Sequence, residues 1–171
     1  MLENEFELFG EDNWLVFKPS FKDLETDTCV ERIGINKFSD YDRVTVEAYK
    51  EVFGFDDRLY NEACRRFLMC EVKSRNPDLS AEFFMVYDRG EPAAGAGLFL
   101  TEELGYFHND ATTKKFRKKG YHTALIKERI KFCKKRGIKT LYAIVDGETS
   151  LKNYSRCGFE PWQVASLFTL K

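Results

Sequence analysis

Lys114, Lys115, Arg117, Lys118 and Lys119 crowd cations ahead of Gly120, and Thr123 adds a hydroxyl just beyond it. The cluster lies where a strand pattern ending near Thr112 gives way to a helical pattern through Ala124, Leu125, Ile126, Ile130 and Cys133. The first N–H groups of a helix have no intrahelical partner, and the helix dipole adds partial positive charge at the same end. Together they make an anion site. A glycine at the turn lets the backbone come close to a ligand, and Lys, Arg and hydroxyl groups match phosphate oxygens. The chemistry implied is the binding of a pyrophosphate. The charges alone also fit a solvated basic run; the strand–turn–helix setting with Gly120 favours the anion site.

A second group of residues could move protons. Tyr154 sits in Tyr154-Ser155-Arg156-Cys157-Gly158-Phe159, on a short predicted helix. A core tyrosine on a short amphipathic helix is its plain reading. On the strand before the turn, Leu104, Tyr106, His108 and Asp110 share one face by the period of two, unless a bulge changes the parity beyond it. An imidazole with a pKa of about 6.5 suits a base, so His108 is a candidate base or else a hydrogen-bonded sheet histidine. Asp110 is the second candidate, as base or as an anchor for a cationic substrate. Glu47, Glu51 and Glu103 could serve if the first helix lines the site.

The elements that must position these groups follow from pattern. Asn13 to Pro19 and Cys29 to Ile35 read as strands. Residues 1–28 read as an N-terminal extension, an accessory strand covering a sheet edge. Ser39 with Asp42 forms an approximate capping box, and Tyr41, Val44, Ala48 and Val52 continue a helix that Gly54 ends. A second helix is predicted over 58–73, with Tyr60, Ala63, Phe67 and Cys70 on its apolar side. Strands over 82–87 and 92–100 flank the hairpin signal Asp88-Arg89-Gly90-Glu91. The small residues from Ala93 to Gly97 invite close approach by a backbone or a ligand. A third strand covers 105–112. After the helix that Gly137 stops, Ile138 to Val145 is nearly all apolar, as in a strand buried on both faces. A helix over 149–156 ends at Gly158, and a strand follows over 163–170. The order predicts an α/β mixed sheet with helices on its faces.

On these motifs the chain resembles the GNAT superfamily of acyl-CoA-dependent N-acyltransferases. Arg117 to Leu125 is similar to the family's R/Q-x-x-G-x-G/A loop, and Tyr154 to Phe159 looks like its Y-x-x-x-G-F element. The resemblance spans about 29–171 in element order, which the reading treats as the GNAT-like domain. It implies a central twisted mixed sheet flanked by about four helices, with splayed central strands holding acyl-CoA, and direct attack of an amine on the thioester. It implies a cofactor set of Ala111, Thr112, Arg117, Lys118, Lys119, Gly120, Tyr121, His122, Thr123 and Ser150. It implies Tyr154 as the acid. His108 stands before Arg117 at the spacing of a proton-removing histidine in the serotonin N-acetyltransferases. Two departures stand out. His122 replaces the last glycine or alanine of the loop, and Glu148, Thr149 and Ser150 occupy a region where an asparagine is common. The activity implied is N-acetyl transfer from acetyl-CoA to a small-molecule or peptide primary amine, by a monomer or homodimer. The alternative is a non-catalytic acyl-CoA-binding or sensor module.

Composition narrows the field. The net charge of −1 over 171 residues supplies no general attraction to nucleic acid or an anionic membrane. No GxxxxGK[S/T] is present, and Gly95-Ala96-Gly97 neither carries a third glycine nor opens a helix. Cys29, Cys64, Cys70, Cys133 and Cys157 lack CxxC spacing, which points to reduced thiols and a cytoplasmic setting. With two histidines, neither beside a paired cysteine, no metal site is expected. No apolar run is long enough to span a membrane.

Overall fold

The computed structural model describes residues 6–18, 24–54, 58, 61, 62, 65 and 78–170. Its elements are β1 (Phe6–Phe17), β2 (Glu31–Ile33), α1 (Phe38–Phe53), β3 (Ser80–Asp88), β4 (Glu91–Leu100), β5 (Leu104–Thr112), α2 (Tyr121–Lys135), β6 (Thr140–Val145), α3 (Glu148–Arg156) and β7 (Phe159–Leu170). Most of the helix predicted over 58–73 lies outside the described residues; Arg58, Asn61, Glu62 and Arg65 are helical.

Glycines mark the reversals. Arg89 (φ 53°) and Gly90 (φ 83°) form the two-residue turn between β3 and β4, the left-handed pair that matches strand twist. Gly54, Gly137 and Gly158 follow α1, α2 and α3 at φ 75°, 77° and 92°, the conformation that closes helices at little steric cost. The start of α1 departs from expectation. Its N-cap is Lys37, with no side-chain cap bond. Asp42 instead accepts from Asn61 Nδ2 at 2.9 Å, so the carboxylate is spent on a tertiary contact.

The strands form one seven-stranded sheet in the order β2-β3-β4-β5-β6-β1-β7. β1 therefore does not cover an edge, as the sequence suggested. It lies between β6 and β7, antiparallel to both. β7 starts at Phe159, earlier than predicted, because β1 offers partners along its whole length. Apolar clusters fill both faces. One holds Leu98, Phe107, Leu125, Ile126, Tyr154 and Phe159, on the side of α2 and α3. The other holds Tyr41, Val44, Phe83, Met85 and Ala111, on the side of α1.

Two irregularities make room for a site. β5 and β6 run parallel and pair from Leu104↔Thr140 to Phe107↔Ala143. Beyond that they part, although β5 continues to Thr112 and β6 to Val145. β5 also slips against β4: Gly97 pairs with His108, but Gly95 pairs with Ala111. That is a β-bulge at Asn109 and Asp110, with Asn109 at φ 52°.

Candidate active site

The gap between β5 and β6 opens into a cleft of about 890 Å³. Of the residues singled out in the sequence, Ala111, Thr112, Arg117, Lys118, Gly120, Tyr121, His122, Thr123 and Ser150 line it, together with His108, Asp110 and Tyr154. Lys119 does not: its ammonium pairs with Asp88 at 2.6 Å.

The turn is built as an amide cradle. Lys118 (φ 65°) and Gly120 (φ 82°) are both left-handed. The first intrahelical bond of α2 runs from Ala124 N–H to the Gly120 carbonyl at 3.0 Å. The amides of Tyr121, His122 and Thr123 thus precede the helical ladder, and no side chain caps them. A Cβ built on Gly120 would meet nothing within 4 Å, so backbone conformation demands the glycine and the space beside it is open. Three of the nearby cations are already paired. Arg117 clasps Glu51 of α1 through two bonds of 3.2 and 3.1 Å, Lys114 lies 3.6 Å from the same carboxylate, and Lys115 pairs with Glu91.

The bulge decides where Asp110 points. The alternation that would place it beside His108 fails there, and Asp110 joins Phe107 on the α2/α3 side. Its Oδ2 accepts three bonds: from Arg129 Nη2 at 2.6 Å, from the Tyr154 hydroxyl at 2.6 Å and from His122 Nε2 at 2.9 Å. Asn153 Nδ2 meets the other His122 nitrogen, Nδ1, at 3.1 Å. Burial by itself would raise the Asp110 pKa, but the Arg129 charge and the His122 bond outweigh it and hold the carboxyl well below its ordinary range. Burial lifts the Tyr154 phenol well above 10; the Asp110 charge and bond add to the lift, and Arg129 opposes it.

Arg129 is fully buried. Its Nε and Nη1 donate to the carbonyls of Leu125 and Gly97 at 3.1 and 2.8 Å, and its guanidinium lies 4.5 Å over the Phe107 ring. Sequence reading missed it. The available signal was a cation inside the apolar stripe, four residues after Leu125 and four before Cys133. Asn153 was missed too, one turn after Ser150, where the departure from the family pattern directed attention.

His108 occupies the opposite face. Its ring stacks on Phe99 at 4.1 Å and on Tyr106 at 5.7 Å, and meets Phe83 edge-on. Gly97 makes the room, since a Cβ there would sit 2.3 Å from the imidazole. The small residues of β4 thus admit side chains of this same chain. Burial, helped by the Arg129 charge and opposed by Asp110, pulls the His108 pKa down to about 3. Such a ring is neutral at ordinary pH and a weak base, which weakens the base role expected from the sequence.

Among the described residues no helix is long and apolar enough to cross a membrane, and no group of His, Cys, Asp or Glu could hold a metal ion.

The family model described as "Acetyltransferase (GNAT) family" matches residues 43–159. No curated protein matches the chain. Solved structures share its fold. A tandem GNAT protein from the clavulanic acid biosynthesis pathway superposes with a TM-score of 0.70 at 11% identity, over 96% of this chain and 54% of that one. A GCN5-related N-acetyltransferase from Kribbella flavida gives 0.67 at 12% identity, over 99% and 61%. An N-acetyltransferase from Thermoplasma acidophilum in complex with coenzyme A gives 0.54 at 18% identity, over 76% and 86%. The chain spans about three fifths of the length of the longer matched structures.

Proposed function

Because the chain belongs to the acetyltransferase (GNAT) family, we propose that it transfers the acetyl group of acetyl-CoA to a small-molecule or peptide primary amine by direct attack. The observation that carries this reading is the amide cradle of Tyr121, His122 and Thr123 on a left-handed Gly120, at the mouth of a cleft where two parallel strands part. These residues fit a diphosphate: three amides lie outside the helical ladder, and open space lies beside Gly120. The coenzyme A in the Thermoplasma acidophilum structure supports the choice of donor. Acetyl-CoA, when bound, supplies the thioester carbonyl that the amine attacks.

The chain's own groups then divide the proton work. Tyr154 stays protonated at working pH, holds its hydroxyl against Asp110, and gives its proton to the thiolate released when the C–S bond breaks. Arg129 Nη2, 3.3 Å from the phenol oxygen, offsets the charge that loss of that proton would leave. His122, with its side chain 20% exposed, replaces His108 as proton acceptor. Asp110 fixes Nε2, and a turn of the Asn153 amide would present its oxygen to a proton taken up at Nδ1.

Thiol release from acetyl-CoA with a panel of amines tests the reading. Tyr154→Phe is expected to lower kcat by about 10²- to 10⁴-fold with CoA affinity kept. Equal loss of both would make Tyr154 structural. Gly120→Glu puts bulk, a strained φ and negative charge at the cradle and is expected to abolish CoA binding by calorimetry. CoA binding with no thiol release from any amine would replace transfer by a non-catalytic acyl-CoA-binding module.

A further inference from the structure

A second cavity, of about 300 Å³, lies beside the cleft. Trp14, Leu79, Phe99, Leu104, Tyr106 and Tyr142 wall it with Thr101, whose hydroxyl oxygen is taken by the amides of Glu103 and Leu104, and the surface it presents is apolar. Three neighbouring strands supply the aromatic faces: β1 gives Trp14, β5 gives Tyr106 and β6 gives Tyr142. Trp14 and Tyr106 stack with centroids 6.1 Å apart and planes 26° from parallel. Tyr106 lines both the cavity and the cleft, so the two are neighbours across one side chain. Two residues further along the same strands, His108 and Ile144 take over the wall on the cleft side. That step is about 7 Å, the reach of a ring carrying a short alkyl arm. Roughly 150 Å³ of apolar space holds a benzene, so this cavity holds one aryl group and part of its arm.

We infer that this cavity is the acceptor's side-chain pocket and that the acceptor is an aryl-alkyl primary amine, its ring among Trp14, Tyr106 and Tyr142 and its nitrogen directed along β5 to the parting of the strands. The inference rests on the acetyl-transfer reading for the fate of the nitrogen, but not for the binding of the ring. Diamines, aminoglycosides and lysine side chains find no partner for a second polar group on this wall, and burying one without a bond is costly.

The experiment uses the full chain with Trp162→Phe, which leaves Trp14 as the sole tryptophan. 2-Phenylethylamine and spermidine are titrated against Trp14 fluorescence and, separately, compared in thiol release. Leu104→Phe narrows the cavity from the start of β5, away from the proton-handling groups, without adding a tryptophan; Tyr142→Ala enlarges it. Saturable quenching by 2-phenylethylamine, weakened at least about tenfold by Leu104→Phe with CoA affinity unchanged, is expected, together with a preference for that amine in thiol release. Should Leu104→Phe fail to fold, loss of discrimination between 2-phenylethylamine and a bulkier naphthyl analogue in Tyr142→Ala carries the same decision. Quenching without thiol release from any amine would keep the pocket and sink acetyl transfer. Thiol release with spermidine but neither quenching nor turnover with 2-phenylethylamine would overturn the pocket and leave acetyl transfer standing.

Discussion

β5 turns Phe107 and Asp110 to one side of the sheet and Tyr106 and His108 to the other, and the two sides bury their polar groups by opposite means. Towards α2 and α3 the carboxylate of Asp110 keeps its charge, because Arg129, Tyr154 and His122 all donate to it. Towards α1 the imidazole of His108 gives its charge up and packs as another ring against Phe99 and Tyr106. One histidine is thus part of a charged, hydrogen-bonded device and the other is close to a hydrocarbon. Histidine content predicts neither state; the bulge at Asn109 and Asp110 sends Asp110 to one side and leaves His108 on the other.

Removing the cation should break the contrast most severely. Arg129→Leu leaves the Asp110 carboxylate buried without its main partner, and a loss of about 3–5 kcal/mol is expected in urea unfolding. Removing the carboxylate as well, as in Arg129→Leu with Asp110→Asn, should recover part of that loss. No recovery would mean that Arg129 acts through its carbonyl bonds alone.

The aromatic side should show in acid. The His108 pKa falls to about 3 in the fold, against about 6.5 when unfolded. Below pH 6.5 the unfolded chain therefore binds a proton that the folded chain refuses, so stability falls as pH drops from 6.5 towards 3, by up to about 1.4 kcal/mol per unit. His108→Phe should remove this slope, measured as Tm against pH. Asp110 acts in a lower window: its depressed pKa stabilises above about 4, and that contribution is lost only on further acidification.

The smallest effect expected on stability is that of His122→Gln, which keeps an amide able to reach Asp110. It should leave Tm nearly unchanged and lower kcat for thiol release with CoA affinity kept. An unchanged kcat would return the base role to another group.

These contrasts also mark what could be read in advance. The hairpin at Arg89-Gly90, the turn at Gly120 and the strand ending at Val145 were legible, because each rests on local rules of φ, capping or apolar runs; burial of that strand on both faces did not hold, since Leu141, Ala143 and Val145 are buried while Tyr142 and Ile144 face the cavities half-buried. The partition of Asp110 from His108 was not, since a bulge depends on how β4 and β5 register, with Gly95 opposite Ala111. Arg129 was hidden for a related reason: its partners come from Gly97, Asp110 and Tyr154, remote in sequence. Leu125, Ile126 and Ile130 announced a core, but not which polar group would be locked inside it.

The placement of β1 has a kinetic side. Trp14 pairs with Ile144 on one edge and with Gln163 on the other, so the outer margin of β6 is sealed only when segments far apart along the polypeptide meet. Pairings of such long range close late and slowly, and until then β6 offers a bare template to other chains. Dilute refolding should accordingly outperform concentrated refolding, and the emission of Trp14 in the Trp162→Phe chain would record the final zipping of the sheet.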